Sequence, residues 1–307
     1  MQFLEELRFL KEQLKVNEAI DLPRKFDNIV VAGMGGSGIS GKIFQELYSE
    51  KPVFLVEDYE IPNFVSKNTL FIGISYSGST QEVLTATKSA VKKEASTVTI
   101  SAGGELADHG DQHINIPRKD LQPRSATGYM LTPFLRGFKI CSESEIKEAY
   151  KLLSDLDGDH KECSKHAKAI ADAQAIPVIY GVRPFKSVAY RWKTQFNENS
   201  KIIAYSGSFP ELNHNDTMAI AKTYRKKGFY YFTFSPQDKR ILRRIQVTEK
   251  ITNSKFAIID PKGSGPVAQT LYLIHYGDYV SYEVGMLRGV DPTDVSLIQK
   301  LKSEISK

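Results

Sequence analysis

A strand followed by a glycine-rich turn near the N-terminus is the feature that most constrains the fold of this chain. Residues 29–32 form the short run Ile-Val-Val-Ala, which is typical of a strand buried in a parallel sheet. Four glycines between Gly33 and Gly38 then allow a tight turn and close approach of the backbone to a ligand. An amphipathic helix pattern follows, so free N–H groups and the helix dipole predict an anion site at this turn.

The glycine spacing alone leaves the kind of anion open. Gly33-x-Gly35-x-x-Gly38 fits the dinucleotide-binding motif. That motif places an acidic residue about 20 residues further along, and Glu57 and Asp58 stand in that region. The same turn is also compatible with a terminal phosphate, or with a tight turn that binds nothing.

A second strand-to-helix turn favours the phosphate over a nicotinamide cofactor. The apolar strand predicted at 69–74 runs directly into a cluster of hydroxyl side chains. The cluster comprises Ser75, Ser77, Ser79 and Thr80. Small hydroxyl donors and free backbone N–H groups suit the three acceptor oxygens of a phosphate. A Ser/Thr-rich cap for the next helix is the structural alternative for this turn alone, but the two turns together predict phosphate binding.

Composition narrows the class of protein. The 307 residues provide room for two domains, and 41% hydrophobic with 25% charged residues is typical of a soluble globular protein. No apolar run approaches the roughly 20 residues of a membrane span, and the acidic start of the chain is unlike a signal peptide. The net charge of +5 is spread along the chain, which argues against a nucleic-acid partner. Cys141 and Cys163 lack metal-ligand spacing and offer no disulfide framework, so we expect a cytoplasmic protein.

The order of the predicted elements indicates an α/β fold with two doubly wound units. Strands are predicted at 28–32, 53–56, 69–74, 97–101 and 112–116, and then at 176–181, 201–205, 228–234 and 255–260. Helices are predicted at 1–22, 126–153, 184–200, 266–286 and from 291 to the end, with helical patterns between most strands. Such alternation implies parallel sheets covered by helices. A polar break at 155–160 separates the predicted domains, 1–153 and 154–307.

A carboxylate on the helix predicted at 184–200 is a candidate for catalysis. Arg191, Gln195 and Glu198 follow spacings of four and three, so they share one face of this helix. Glu198 stands in the last turn, where a negative charge opposes the helix dipole. Breaking this local rule without an evident gain indicates function. The structural alternative is a surface glutamate beside Lys201.

A histidine in the polar loop 210–216 is a second candidate. Asn213, Asn215 and Asp216 surround His214 in the sequence and are expected to fix one imidazole tautomer, leaving the other nitrogen for proton transfer. The alternative is a loop histidine that is simply exposed.

Two further segments carry polar residues that are candidates for ligand contacts. Arg124 follows the fifth predicted strand, and doubly wound sheets place ligand contacts beyond the carboxyl ends of their strands. The final helix bears a polar stripe that includes Thr293 and Lys300, beside an apolar stripe. Without other information, that polar stripe is the solvated side of the helix.

Taken together, these stretches resemble the bifunctional phosphoglucose/phosphomannose isomerases of the sugar isomerase domain (SIS) superfamily, over nearly the whole chain. The motifs that carry the resemblance are Gly33-Met-Gly-Gly-Ser-Gly38, Ser75-Tyr-Ser-Gly-Ser-Thr80, Pro123-Arg-Ser125, Arg191-Trp-Lys-Thr-Gln-Phe-Asn-Glu-Asn199, Glu211-Leu-Asn-His-Asn-Asp216 and Asp291-Pro-Thr293 with Lys300. The fourth and fifth motifs are the most specific. The resemblance implies two αβα sandwich subdomains of the SIS type.

The resemblance also implies a role for each matching residue. The substrate phosphate would be bound by Gly36, Ser37, Ser75, Ser77 and Thr80. Glu198 would be the catalytic base, and His214 and Lys300 would open the sugar ring. Arg124 would stabilise the enediolate, and Thr293 would leave room for both epimers at carbon two. His214 would come from the partner subunit of a homodimer.

The implied partners are sugar phosphates, with no metal or redox cofactor, no nucleic acid and no membrane. Two other functions fit parts of the pattern. A non-catalytic sugar-phosphate sensor of the same fold would keep the hydroxyl turns but would need neither Glu198 nor His214. A related sugar-phosphate enzyme, such as the isomerase half of an amidotransferase, would normally bring a glutaminase domain with an N-terminal cysteine, whereas this chain begins Met1-Gln2.

Overall fold

The computed structural model describes residues 3–223 and 228–305. It divides into two compact units, Met1–Asp157 with Lys262–Tyr272, and Gly158–Pro261 with Leu273–Lys307. Within the described ranges, no helix is both long enough and apolar enough to cross a membrane.

The first unit is built on a parallel five-stranded sheet. Its strands are β1 (Asn28–Gly33), β2 (Val53–Val56), β3 (Thr69–Ile74), β4 (Ser96–Ser101) and β5 (Gln112–Asn115), in the order β2-β1-β3-β4-β5. The helices of this part of the chain are α1 (Phe3–Arg8), α2 (Leu10–Gln13), α3 (Gly35–Leu47), α4 (Gln81–Lys92), α5 (Thr127–Gly137) and α6 (Glu143–Gly158). The strand order reverses between β1 and β3, which is the switch point where doubly wound sheets bind ligands.

Two apolar clusters cover the two faces of this sheet. Along β1, Ile29 and Val31 pack in a cluster with Phe44 of α3 and Phe134 of α5. The alternate residues Val30 and Ala32 belong to a second cluster, which includes alanines of α4. Successive side chains of a strand point to opposite faces, so the sheet is buried on both sides, as the β-branched composition predicts.

The second unit contains a parallel four-stranded sheet. Its strands are β6 (Ile176–Gly181), β7 (Tyr205–Ser208), β8 (Phe229–Phe234) and β9 (Ala257–Ile259), in the order β7-β6-β8-β9. The remaining helices are α7 (Lys161–Ala173), α8 (Lys186–Asn199), α9 (Asp216–Thr223), α10 (Lys239–Thr252), α11 (Pro266–Leu287) and α12 (Ser296–Ile305). The predicted α/β fold with parallel sheets is therefore confirmed.

Trp192 of α8 lies at the centre of the apolar core of the second unit. Its ring is fully buried, and its centroid lies 5.3 Å from the ring centroids of both Phe232 and Phe234. The indole N–H donates to the carbonyl oxygen of Leu273 at 2.8 Å. These contacts confirm that the apolar side of α8 faces the core.

Two of the helices predicted in the first 153 residues have different bounds in the structure. The lead helix predicted at 1–22 ends at Gln13 among the described residues, while residues 1 and 2 lie outside them. Ile20 instead donates its N–H to the carbonyl oxygen of Pro133, a partner outside its own segment. The helix predicted at 126–153 is interrupted after Gly137, and Ser142 caps the new helix by accepting from the N–H of Glu145 at 3.2 Å. Ser142 and Glu145 have the spacing of a capping box, which is the sequence signal for this boundary.

The strand predicted at 201–205 is wrong, because β7 begins only at Tyr205. Lys201 has a positive φ of 54° and ends α8. The N–H of Ile202 donates to the carbonyl of Phe196, and the N–H of Ala204 donates to the Asn197 side chain. These N–H groups are used at the end of α8, so they do not join a strand ladder.

The final helix also begins later than predicted. It was predicted from residue 291, but the Asp291 carboxylate accepts from the N–H and hydroxyl of Thr293, and helix α12 begins at Ser296. Asp294 accepts from the N–H of Ser296 at 2.9 Å. The last two residues of the predicted helix, 306 and 307, lie outside the described residues.

Candidate active site

The glycine turn and the hydroxyl turn lie side by side, because they follow the neighbouring strands β1 and β3. The Ser37 hydroxyl accepts the N–H of Tyr76 at 3.1 Å and so ties the first turn to the second. The first turn is tight, since a Cβ added to Gly38 would lie 2.5 Å from the carbonyl oxygen of Gly33. Only glycine at position 38 permits this approach.

The hydroxyls of the second turn form a connected cluster. Ser75 and Thr80 lie 2.8 Å apart, Oγ to Oγ1, and the Ser75 Oγ accepts the N–H of Gly78 at 3.1 Å. Ser79 donates its hydroxyl to the Ser77 Oγ at 3.0 Å. Ser75 is buried, Thr80 is half-buried, and Ser77 is exposed. The cluster therefore extends from the end of β3 to the surface.

This geometry argues against a simple helix cap. Thr80 occupies the N-cap position of α4, yet its side chain makes no capping hydrogen bond. Met34, the N-cap of α3, likewise has no side-chain capping bond. The first turns of both helices thus remain available to an anion, and the helix dipoles favour negative charge at these ends.

A third turn, the 3-10 helix Pro123–Ala126, brings Arg124 against the glycine turn. A Cβ added to Gly36 would lie only 2.7 Å from the Cα of Arg124, so glycine is needed for this contact. Arg124 is buried, and its guanidinium carbon lies 5.0 Å from the centroid of the Phe3 ring. The first unit therefore brings together all the predicted phosphate-binding residues and the segment that carries Arg124.

In the second unit, α8 places two of its three predicted polar residues in a buried network. Arg191 donates from Nη2 to both carboxylate oxygens of Asp278, at 3.1 and 2.9 Å. Gln195 donates to the Oδ1 of the same carboxylate at 2.9 Å. Asp278 lies 87 residues from Arg191, and no local pattern identified it.

Glu198 lies one turn further along this face and is half-buried. Lys201 Nζ donates to the carbonyl oxygen of Glu198 at 2.5 Å and to that of Asp294 at 2.6 Å. Lys201 therefore joins the end of α8 to the segment that carries Thr293. Lys201 was expected beside Glu198, but its bond to Asp294, 93 residues away, has no local signal in the sequence.

His214 is exposed in the 3-10 turn Glu211–His214. The predicted polar shell around its ring is wrong, because each neighbour is engaged elsewhere. Asn213 donates to Thr248 at 2.7 Å, Asn215 donates to Glu211 at 3.2 Å, and Asp216 accepts from the Tyr180 hydroxyl at 3.0 Å. Burial, together with the Asp216 carboxylate, raises the pKa of Tyr180, so its hydroxyl remains the donor in this bond. Among the described residues, no hydrogen bond joins His214 to the Glu198 or Thr293 segments.

The two C-terminal residues differ in their surroundings. Thr293 is half-buried and donates its hydroxyl to Asp291 at 2.7 Å, and this bond helps to lower the pKa of Asp291. Lys300 is exposed on α12, none of whose described residues is buried. The apolar stripe of this helix is also exposed, with Leu297 at 82% and Ile305 at 70%.

The sheet order and the paired serine and glycine turns define a sugar isomerase domain protein. Residues 24–128 match the SIS domain, and residues 159–305 match the bacterial phospho-glucose isomerase C-terminal SIS domain. The glucosamine-6-phosphate deaminase of Thermotoga maritima has the same fold, with a TM-score of 0.72 and 17% identity over 94% of each chain.

Two relatives identify the family. The chain is 53% identical over 306 residues to the bifunctional phosphoglucose/phosphomannose isomerase of Thermoplasma volcanium, with 100% of each chain covered. It is 52% identical to the protein of the same name from Thermoplasma acidophilum, covering 100% of this chain and 98% of that one. The chain therefore belongs to the bifunctional phosphoglucose/phosphomannose isomerase family. The predicted resemblance is confirmed, and so is the prediction of an isomerase.

Proposed function

We propose that the protein interconverts glucose 6-phosphate and mannose 6-phosphate with fructose 6-phosphate through an enediolate intermediate. The observation that carries the proposal is the hydroxyl cluster at the β1/β3 switch point, in a chain of this family. Its hydroxyls are bonded to one another and leave the first turn of α4 without a side-chain cap.

The phosphate group would bind at these two turns. Ser37, Ser75, Ser77 and Thr80 would donate hydroxyls, while the backbone at Gly36 would approach the phosphate closely. The positive ends of the α3 and α4 dipoles add electrostatic attraction to the dianion.

Glu198 would transfer the proton between carbons one and two. Its carboxylate removes the proton from carbon two of the open aldose, and the electron pair of that bond forms the carbon–carbon double bond of the enediolate. Arg124 would stabilise the negative charge on the enediolate oxygen. A proton then moves from the hydroxyl of carbon two to the oxygen of carbon one, and return of the carbon-bound proton to carbon one gives fructose 6-phosphate. Return to either face of the planar carbon two gives the glucose or mannose epimer, and Thr293 would leave room for both.

Ring opening precedes proton transfer, and we assign it to His214 and Lys300. We propose that His214 acts in the site of a second copy of the chain, in a homodimer. Two observations support this. His214 follows β7, which is one of the two edge strands of its sheet, and Ile203, Tyr205 and Met218 in the same stretch are 66%, 55% and 73% exposed. A two-fold contact through such an edge would place the His214 of each subunit in the site of the other.

The proposed enzyme acts on small sugar phosphates in the cytoplasm and requires no metal, nucleic acid or membrane. The purified protein is assayed with glucose 6-phosphate and with mannose 6-phosphate, in the presence of a chelator. We expect fructose 6-phosphate from both substrates. Binding of both sugar phosphates without any conversion would instead identify a sensor and overturn the proposal.

A further inference from the structure

Helices α1 and α2, which precede β1, contact the turn that carries Arg124. The ring of Phe3 lies under the guanidinium, 5.0 Å from its carbon to the ring centroid, and both side chains are buried. An aromatic face attracts a cation and keeps its plane oriented. This contact therefore fixes the plane of the guanidinium, whose N–H groups form a rigid fork.

Two buried polar side chains of the same helices hold the backbone on each side of Arg124. Glu6 accepts the N–H of Gln122 at 3.0 Å and is 5% exposed. Gln13 is fully buried, donates to the carbonyl oxygen of Ser125 at 2.6 Å and accepts the N–H of Tyr129 at 3.1 Å. Since a buried polar group is costly to leave unpaired, these bonds fix the turn at three points.

Arg124 is therefore held from two directions. On one side α1 and α2 contact its side chain and its flanking backbone, and on the other Gly36 lies against its Cα. The position of the guanidinium relative to the phosphate turns depends on both contacts.

We infer that Phe3, Glu6 and Gln13 are positioning residues, which orient Arg124 toward the charge that develops at carbons one and two. This inference rests on the proposed function, because that function gives Arg124 its role. It predicts that these residues affect recognition of charge at the reacting end of the substrate and leave recognition of the phosphate end unchanged.

The test compares two ligands that share a phosphate but differ at the reacting end. 5-Phosphoarabinonate carries a carboxylate in place of the enediolate, whereas sorbitol 6-phosphate is neutral there. Phe3→Leu keeps an apolar side chain and removes the aromatic face, and Phe3→Tyr retains that face. We expect Phe3→Leu to weaken binding of the arabinonate about tenfold, in the range of a desolvated cation–π contact. Binding of sorbitol 6-phosphate should be unchanged, and Phe3→Tyr should bind both ligands as the parent does.

Gln13→Met, which removes both hydrogen bonds at nearly constant length, provides a second variant in case Phe3→Leu does not fold. Equal loss for both ligands, or no loss for either, in a folded variant would overturn the positioning role. Failure of the proposed function has a different outcome, namely a parent protein that converts neither sugar phosphate. The two binding measurements do not depend on turnover, so the two failures are distinguishable.

Discussion

The contact between Gly36 and Arg124 gives a prediction whose size follows from the distances between their atoms. A Cβ introduced by Gly36→Ala would meet the Cα of Arg124 at 2.7 Å and its backbone nitrogen at 2.8 Å. Ordinary contact begins at 3.4 Å, so the two backbone segments must separate by about 0.7 Å. Neither atom belongs to a flexible side chain, and the strain therefore falls on the turn itself.

Two effects of different size should follow. Overpacking of this kind destabilises a protein by about 1–3 kcal/mol. When a group that stabilises charge in the active site is displaced by about 1 Å, turnover falls about 100-fold. We therefore expect kcat on fructose 6-phosphate to fall between about 10-fold and 100-fold, with a smaller change in KM because the hydroxyls of the second turn remain in place.

Gly41→Ala is the matched control in the same helix. Its Cβ would meet the Cγ1 of Val31 at 2.8 Å, a side-chain contact in the core remote from the turn. It should lower the unfolding temperature without changing kcat. Steady-state kinetics and thermal unfolding are measured for both variants. A folded Gly36→Ala protein with the parent kcat would refute the claim that this contact sets the position of Arg124.

Four further predictions concern the remaining parts of the site. Loss of both the Ser77 and Thr80 hydroxyls through alanine substitution should weaken binding of fructose 6-phosphate at least about tenfold per hydroxyl, as calorimetry would measure; unchanged affinity would place the phosphate elsewhere. Glu198→Gln should reduce turnover about 100- to 10,000-fold, and exchange of the carbon-two proton with solvent at the parent rate would exclude Glu198 as the base. Mixed dimers of Glu198→Gln and His214→Ala subunits should regain activity toward half that of the parent dimer, because one of the two shared sites then carries neither substitution. Inactive mixed dimers would show that each site is built within one chain. Asp278→Ala should lower the free energy of unfolding by about 3–5 kcal/mol, because it leaves the buried guanidinium of Arg191 without its carboxylate partner. The shift in the urea midpoint of unfolding measures this loss, and a midpoint close to that of the parent would contradict the prediction.

The parts of the fold that the sequence predicted well are those fixed by local chemistry. The strand at the glycine turn was predicted within one residue, because a β-branched run between polar residues has few other uses in an α/β protein. The hydroxyl turn was also predictable, since its donors stand within six consecutive residues.

The errors arose where individual hydrogen bonds, rather than the local sequence pattern, decide the structure. Ile202 and Ala204 lie in an apolar run that is typical of a strand. Their N–H groups instead donate to Phe196 and Asn197 at the end of α8. The polar neighbours of His214 were assigned to its ring, but one of them, Asn213, bonds Thr248, 35 residues away. Asp278 was not identified at all, because a buried ion pair leaves no periodic pattern in the sequence.

The chain contains a single tryptophan, Trp192, and its burial has a practical consequence. An indole packed against Phe232 and Phe234 emits at shorter wavelength than one in water, so the fluorescence of this residue reports the integrity of the second unit. Glu198 stands on the same helix as Trp192. A shift of the Trp192 emission to longer wavelength therefore reports that the apolar side of this helix has lost its packing. Circular dichroism records the helices of both units. Unfolding curves followed by the two signals will coincide only if the two units unfold as one cooperative system.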